Sequence, residues 1–204
     1  AKSGAGKSYA VKLEVLRSLM IGTDVIIIDP ENEYENLTQT VGGTYMKVSL
    51  TSDRRINPFD LPKPRKDEEL QPGDILRSSI ISLQGLLKIM IGAMTPLEES
   101  LLDKALIDVY AIKGITMDLV DPSDKTPPTM EDLESVLGSM EGAQSLAQRL
   151  QKFTTGTYGG IFNKPTNVNL SSGLMVFCIR DLEDALRPIA MYIILEYIWT
   201  RIRQ

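Results

Sequence analysis

The sequence contains no histidine and a single cysteine, and each shortage removes a class of protein. Without histidine in any of its 204 residues, a Ser–His hydrolase is excluded, and a general base must be a carboxylate or lie outside the chain. Because Cys178 is the only cysteine, an intrachain disulfide and a cysteine zinc cluster are excluded as well. Its place in the apolar run 175–179 predicts a small buried residue on a strand.

A secretory signal and a long hydrophobic run are also missing. The longest apolar segment, 186–199, carries Arg187 and Glu196 and is shorter than the roughly 20 residues that cross a bilayer. Because this segment is apolar almost all round, it predicts a helix buried inside a fold. We therefore expect a cytoplasmic protein, which can still dock on a membrane complex.

Acidic side chains outnumber basic ones by 27 to 22, which gives a formal net charge of −5. This excludes a general basic coat for nucleic acid or anionic lipid. A local basic cluster precedes Asp67-Glu68-Glu69, and we interpret it as a solvated loop of mixed charge rather than a nucleic-acid contact; its members are Arg54, Arg55, Lys63, Arg65 and Lys66. The length, with 43% hydrophobic and 24% charged residues, suits one globular domain or one domain with an insertion.

The first eight residues, Ala1-Lys2-Ser3-Gly4-Ala5-Gly6-Lys7-Ser8, predict a phosphate-binding loop. Small residues at positions 4–6 let successive backbone N–H groups turn inward around a phosphate. In this pattern Lys7 reaches the β- and γ-phosphates, and the Ser8 hydroxyl ligates Mg²⁺. The pattern has glycine at its first position, where this chain has Ala1. The predicted nucleotide-binding residues are Ser3, Gly4, Ala5, Gly6, Lys7 and Ser8, with Ser8 as the metal ligand.

The residues after this loop have the pattern that such a site needs. A helix is predicted over 9–21, with Gly22 as its stop and an apolar stripe along one side; the stripe consists of Val11, Val15, Leu16, Leu19 and Met20. The wholly apolar run 25–28 then predicts a parallel strand covered on both faces. Helix and strand together indicate a nucleotide-binding α/β fold.

A second acidic segment, Asp29-Pro30-Glu31-Asn32-Glu33-Tyr34, follows that strand directly. Loops after the carboxyl ends of parallel strands line the ligand crevice of an open α/β sheet. This places Asp29 and Glu33 near the phosphates or the attacking water, with Glu33 the stronger catalytic candidate. The alternative is a simple turn in which Glu33 occupies the first turn of a helix that runs to Val41. An exposed strand is predicted over 44–50.

The middle of the chain predicts an all-α insertion over 70–155. Proline-rich residues after Ile56-Asn57-Pro58-Phe59-Asp60 lead into helical spacing at Leu76, Ile80, Leu83, Leu87 and Met90. Further helices start at the capping box Thr95–Glu98 and near Thr129, and another covers 144–153. The glycine-rich residues 154–163 predict a flexible loop, either a surface turn or an intersubunit contact. A strand over 174–179 returns to the sheet, so 1–69 and 156–204 form the nucleotide-binding core.

Four segments in order resemble one known family, the large ATPase of bacterial type IV secretion and conjugation systems, within the FtsK–HerA group of P-loop motors. They are Ser3-Gly4-Ala5-Gly6-Lys7-Ser8, Asp29-Pro30-Glu31-Asn32-Glu33-Tyr34, Ile56-Asn57-Pro58-Phe59-Asp60 and Gly156-Thr157-Tyr158-Gly159-Gly160-Ile161-Phe162. The resemblance implies a RecA-like core with an all-α subdomain, ATP hydrolysis with Mg²⁺, a homo-oligomer that is a hexamer, and docking with other secretion-system subunits at the cytoplasmic face of the inner membrane.

By position, the resemblance makes Lys7 the phosphate lysine, Ser8 the Mg²⁺ hydroxyl and Glu33 the acidic residue after the second strand. The acidic Asp-Glu strand that binds Mg²⁺ in such motors has no convincing match here, and we expect it beyond Gln204, so that the sequence reads as a fragment. Three arginines near the ends of predicted helices or strands are candidates for an arginine finger, which acts at the nucleotide site of a neighbouring subunit: Arg149, Arg180 and Arg187.

We interpret the chain as an ATP-driven motor domain that powers substrate transfer or pilus assembly. Two alternatives stay open. One is a DNA-translocating relative of the same group, although the acidic composition argues against it. The other is a nucleotide-binding scaffold that assembles a machine without hydrolysis.

Overall fold

The computed structural model describes residues 6–64, 69–160, 162–168 and 173–202. The strands are β1 (Val25–Asp29), β2 (Thr44–Lys47) and β3 (Leu174–Cys178). The helices are α1 (Lys7–Met20), α2 (Glu35–Thr40), α3 (Asp74–Ile91), α4 (Pro96–Ile112), α5 (Met130–Ser139), α6 (Gln144–Thr154) and α7 (Arg187–Ile202). Within these ranges, no helix combines the length and apolar character that would cross a membrane.

The chain divides into two compact units. Unit 1 comprises Ala1–Arg54 and Val168–Arg187, and contains the three strands with α1 and α2. Unit 2 comprises Arg55–Asn167 and Pro188–Gln204, and contains α3 to α6 with most of α7. Helices are therefore concentrated between β2 and β3, where the sequence predicts an all-α block.

Unit 1 is built on a parallel sheet with the strand order β1-β3-β2. Ile28 pairs with Phe177 in β3, and Phe177 pairs with Met46 in β2. All five residues of β3 are buried, because this strand has a neighbour on each side. The α/β class, the parallel sheet and the return of the last predicted strand to it are confirmed.

The burial of the two outer strands differs from the predictions. Residues 25–28 of β1 are only half-buried rather than covered on both faces, because β1 is an edge strand in the described part of the sheet. The strand predicted over 44–50 ends at Lys47. It is not simply exposed, since Met46 is 3% accessible and Val48 and Ser49 are also buried.

Helix α1 packs on this sheet through a narrower stripe than the sequence predicts. Val15 is buried against Leu174 and Val176, and Leu19 packs at the border of the same cluster. Met20 is 86% exposed, because 3.6 residues per turn carry it to the side of the helix away from Val15. Val11 lies one turn before Val15 on nearly the same side but is 48% exposed, so the buried part of this stripe starts at Val15. The helix ends where predicted, with Gly22 in the left-handed conformation at φ 79°.

Two helices of unit 2 begin at capping motifs formed by residues close together in sequence. Thr95 and Thr129 each form a capping box with the residue three positions later, Glu98 and Asp132. The predicted stripe on α3 is the buried face of that helix: Leu76, Ile80, Leu83, Leu87 and Met90 are at most 8% exposed.

The segment 56–60 is tied into this core by buried polar contacts. The Tyr110 hydroxyl on α4 donates to the Phe59 carbonyl oxygen at 2.9 Å, and the Asn57 side-chain amide donates to the Pro128 carbonyl oxygen at 2.8 Å. Next to it, the first and last residues of the 55–167 segment of unit 2 are hydrogen-bonded to each other. The Arg55 N–H donates to Asn167 Oδ1 at 2.7 Å, and the Asn167 N–H donates to the Arg55 carbonyl oxygen at 3.2 Å.

The glycine-rich residues 156–160 form a tight turn on the end of α6 rather than the flexible loop predicted. The Gly156 N–H donates to the Gln151 carbonyl oxygen at 2.8 Å, and the Tyr158 N–H donates to that of Lys152 at 2.9 Å. A β-carbon on Gly156 would lie 2.8 Å from the Lys152 Cα. Glycine is required here because backbone segments approach closely.

Candidate nucleotide-binding site

The start of α1 carries two of the predicted phosphate-binding side chains. Gly6 is its N-cap, followed by Lys7 as the first helical residue and then Ser8. Lys7 is exposed and Ser8 is half-buried. A β-carbon added at Gly6 would meet nothing within 4 Å among the described residues. Ser3, Gly4 and Ala5 lie outside the described residues.

Helix α1 runs against the strand direction, so that its first turn points to the carboxyl edge of the sheet. At its other end, Leu19 lies 3.5 Å from the position of a β-carbon on Gly173, which directly precedes β3. Towards its start, the Lys12 ammonium lies 5.4 Å from the ring centre of Tyr34, in the loop after β1. The N-terminal half of α1 therefore borders the loop in which Glu33 was predicted to act.

Asp29 faces inward and braces this loop. It is 1% exposed. One carboxylate oxygen accepts the Glu31 N–H at 3.2 Å, and the other accepts the Tyr34 N–H at 3.0 Å. Both acceptors of Asp29 are therefore used by the loop itself, which identifies this residue as a buried support rather than an exposed ligand.

Glu33 is exposed, and it lies in the loop rather than in a helix. Helix α2 begins at Glu35 with Tyr34 as its N-cap, so the alternative that Glu33 occupies the first helical turn is wrong. The preceding residue, Asn32, has a left-handed backbone at φ 58°, which bends the chain just before Glu33. The carboxylate of Glu33 thus projects from a braced loop at the carboxyl edge of the sheet.

Two side chains from β2 complete this edge, and the sequence analysis missed both. The Tyr45 hydroxyl donates to Asn32 Oδ1 at 2.6 Å. Lys47 forms an ion pair with Asp181, just beyond β3, and their hydrogen bond raises the pKa of Lys47 and lowers the pKa of Asp181. Sequence alone could not find these pairs, because their members are far apart along the chain and meet only through the strand order.

The three candidate finger arginines all have partners within their own unit. Arg180 contacts the Glu31 carbonyl oxygen at 3.5 Å. Arg187 pairs with Asp184 at 3.0 Å, and Arg149 pairs with Glu98 at 2.6 Å. A trans-acting role would require each of them to exchange these contacts.

The parallel sheet, with Lys7 and Ser8 opening a helix at its carboxyl edge, has the features of an α/β P-loop ATPase fold. The family model described as the central domain of the helicase HerA (DUF87) matches residues 1–169. The chain belongs to this family.

A solved structure extends the likeness along the whole chain. The structure of VirB4 of Thermoanaerobacter pseudethanolicus matches with a TM-score of 0.85 and 29% sequence identity. The match covers 100% of this chain and 55% of that chain, so the present sequence spans about half the length of the VirB4 chain. No curated protein matches. The resemblance to the type IV secretion and HerA–FtsK ATPases is thereby confirmed.

Proposed function

We propose that this chain is the ATP-binding and ATP-hydrolysing motor domain of a type IV secretion or conjugation machine, where it powers substrate transfer or pilus assembly. The observation that carries the proposal is the position of Lys7 and Ser8 in the first turn of α1, beside the loop that presents Glu33. The likeness to VirB4 along the whole chain supports the choice of machine.

In the proposed mechanism, the amides of residues 4–7 bind the triphosphate, and Lys7 neutralises the charge that develops during its hydrolysis. The Ser8 hydroxyl would hold Mg²⁺, which supplies further neutralisation of phosphate charge. Glu33, exposed on its braced loop, would orient the attacking water. Asp29 contributes indirectly, because its carboxylate fixes the backbone on both sides of Glu33.

The assembly is also part of the proposal. We place a RecA-like core in residues 1–69 and 156–204 and an all-α insertion in 70–155, and we expect a hexameric ring that docks on other secretion-system subunits at the inner membrane. In such a ring, hydrolysis changes the contacts between neighbouring subunits and so performs work.

A DNA-translocating motor is the second candidate, and the family description as a helicase domain favours it. The net charge of −5 weighs against it, because DNA-binding proteins carry a basic footprint. DNA binding that weakens steeply with salt would favour this candidate over protein transfer.

The test is the Lys7→Ala variant of the full-length protein. We expect ATP turnover to fall by about 100-fold or more, since the proposed role of Lys7 is to neutralise the charge that develops in the transition state. Lys104→Ala, at an exposed lysine on α4, is the matched control and should turn over at the wild-type rate. Undiminished hydrolysis in Lys7→Ala would reject the proposed site. Nucleotide-dependent assembly without phosphate release by the wild type would identify a scaffold instead of a motor.

A further inference from the structure

Asn32 adopts a strained backbone conformation directly before Glu33. Among the described residues, it is the sole non-glycine residue with a positive φ, at 58°. Asparagine tolerates this region better than most residues, but the conformation persists only where its surroundings hold it. The loop must therefore contain contacts that keep Asn32 in place.

The side-chain amide of Asn32 bridges two elements. Its oxygen accepts the hydroxyl proton of Tyr45 on β2 at 2.6 Å. Its nitrogen donates to Glu35 Oε2, in the first turn of α2, at 3.3 Å. The amide thus connects β2 to the start of α2, and Glu33 lies along the chain between Asn32 and Glu35.

The Tyr45 hydroxyl stays protonated and can therefore donate to the amide. Burial raises the pKa of this phenol, and its neighbours Cys178, Glu35 and Asp29 raise it further. The hydroxyl therefore keeps its proton throughout the physiological range, and with it the ability to donate to Asn32.

We propose that Tyr45 is a positioning residue for the ATPase reaction, which acts through Asn32 to hold the Glu33 carboxylate towards the start of α1. This inference rests on the proposed function of Glu33. Asp29 fixes the N–H groups of Glu31 and Tyr34 from beneath, and Tyr45 fixes the residue between them. The backbone that carries the Glu33 carboxylate is then already restricted, so little conformational entropy is lost when the transition state forms.

The first experiment measures the loop without nucleotide. Hydrogen exchange of the amides of residues 31–34 is compared in the full-length wild type and Tyr45→Phe, which removes the hydroxyl and keeps the ring. Loss of one hydrogen bond is expected to accelerate this exchange about fivefold. Tyr192→Phe, which removes a hydroxyl that donates to the Ser82 carbonyl oxygen at 3.0 Å in unit 2, should leave exchange in 31–34 unchanged. Unaltered exchange in Tyr45→Phe would overturn the inference.

The second experiment separates positioning from general stability through ATP kinetics. We expect Tyr45→Phe to lower kcat about fivefold while KM for ATP stays within about twofold. In a Glu33→Gln background the same substitution should have no further effect, because the group that it positions is gone. Multiplicative losses in the double variant, or a loss confined to KM, would overturn the inference. If Glu33→Gln turns over normally, the proposed role of Glu33 itself fails; if the wild type hydrolyses no ATP, the proposed function fails, and the inference fails with it.

Discussion

The Arg149 guanidinium on α6 binds the Glu98 carboxylate on α4 at 2.6 Å. The same guanidinium donates to the Ile91 and Ala93 carbonyl oxygens at 3.2 and 2.9 Å, at the end of α3. The side chain of Arg149 is 30% exposed and that of Glu98 is 19% exposed. The Arg149 side chain therefore links α6 to α4 and to the end of α3, which gives it a structural role in unit 2.

Replacing Arg149 should destabilise the protein. We expect Arg149→Ala to lower the melting temperature by about 3 °C or more, because several acceptors lose their donor together. Arg149→Lys should recover only part of the loss, since an ammonium cannot reproduce the planar fork. Arg17→Ala is the control, because Arg17 is 73% exposed and pairs with Glu14 at 3.9 Å; thermal unfolding should barely change. Equal melting temperatures for Arg149→Ala and Arg17→Ala would contradict this.

Acid should weaken the same junction. The Thr95 N–H and, to a lesser degree, Arg149 lower the pKa of Glu98. A carboxylate with a lowered pKa in the folded state stabilises the fold above its ordinary pKa of about 4.3 and loses this contribution as the pH falls through the lowered value. Urea midpoints for the wild type and Glu98→Gln should therefore differ at pH 6, and the difference should shrink as the pH falls below about 4. Glu141→Gln, at an exposed glutamate, should follow the wild type, and a constant gap for Glu98→Gln would exclude this linkage.

Asp29→Asn tests the brace beneath the candidate loop. The substitution keeps the volume but points an amide N–H group at a backbone donor, so one of the two hydrogen bonds is lost in a site that is 1% exposed. We expect a loss of about 1–3 kcal/mol in the free energy of unfolding, measured by urea denaturation. Asp24→Asn, at an exposed aspartate before β1, should change it by less than about 0.5 kcal/mol. If the two variants are equally stable, Asp29 does not brace the loop.

The same glycine-to-alanine change should have opposite signs at two positions. At Gly159, a new β-carbon would overlap the Thr154 carbonyl oxygen, so Gly159→Ala should destabilise the fold by about 1–3 kcal/mol. At Gly138, on the exposed side of α5, nothing lies within 4 Å of such a carbon. Gly138→Ala should therefore stabilise by about 0.5–1 kcal/mol through its helix propensity. Chemical denaturation measures the change in the free energy of unfolding for both variants. If the two changes have the same sign, the tight turn at 156–160 is refuted.

Local chemistry made much of this structure predictable. The capping boxes at Thr95 and Thr129 and the stop at Gly22 depend on neighbouring residues alone, and the helix ends follow them. The periodic apolar positions on α3 likewise predict the buried face of that helix.

The burial of the strands and the polar contacts at the sheet edge could not be predicted in the same way. The apolar run in β1 has the composition of a central strand, yet β3 occupies the centre of the described sheet. Tyr45 meets Asn32 because β1 and β2 flank β3 in the sheet, and Lys47 meets Asp181 because β2 and β3 are neighbours. Contacts of this kind depend on tertiary packing, which a short sequence pattern does not encode.

The central position of β3 determines when the parallel sheet can assemble during translation. Strands β1 and β2 are made before β3, and each pairs with β3, and not with the other, in the sheet described. Until translation passes Cys178, the edges of these two strands that pair with β3 in the described sheet lack that partner and stay open to other chains. The helices made in the meantime rely on nearby residues for their caps and can form first. Slow synthesis through the segment before β3 would therefore prolong the stage at which nascent chains are most prone to aggregate.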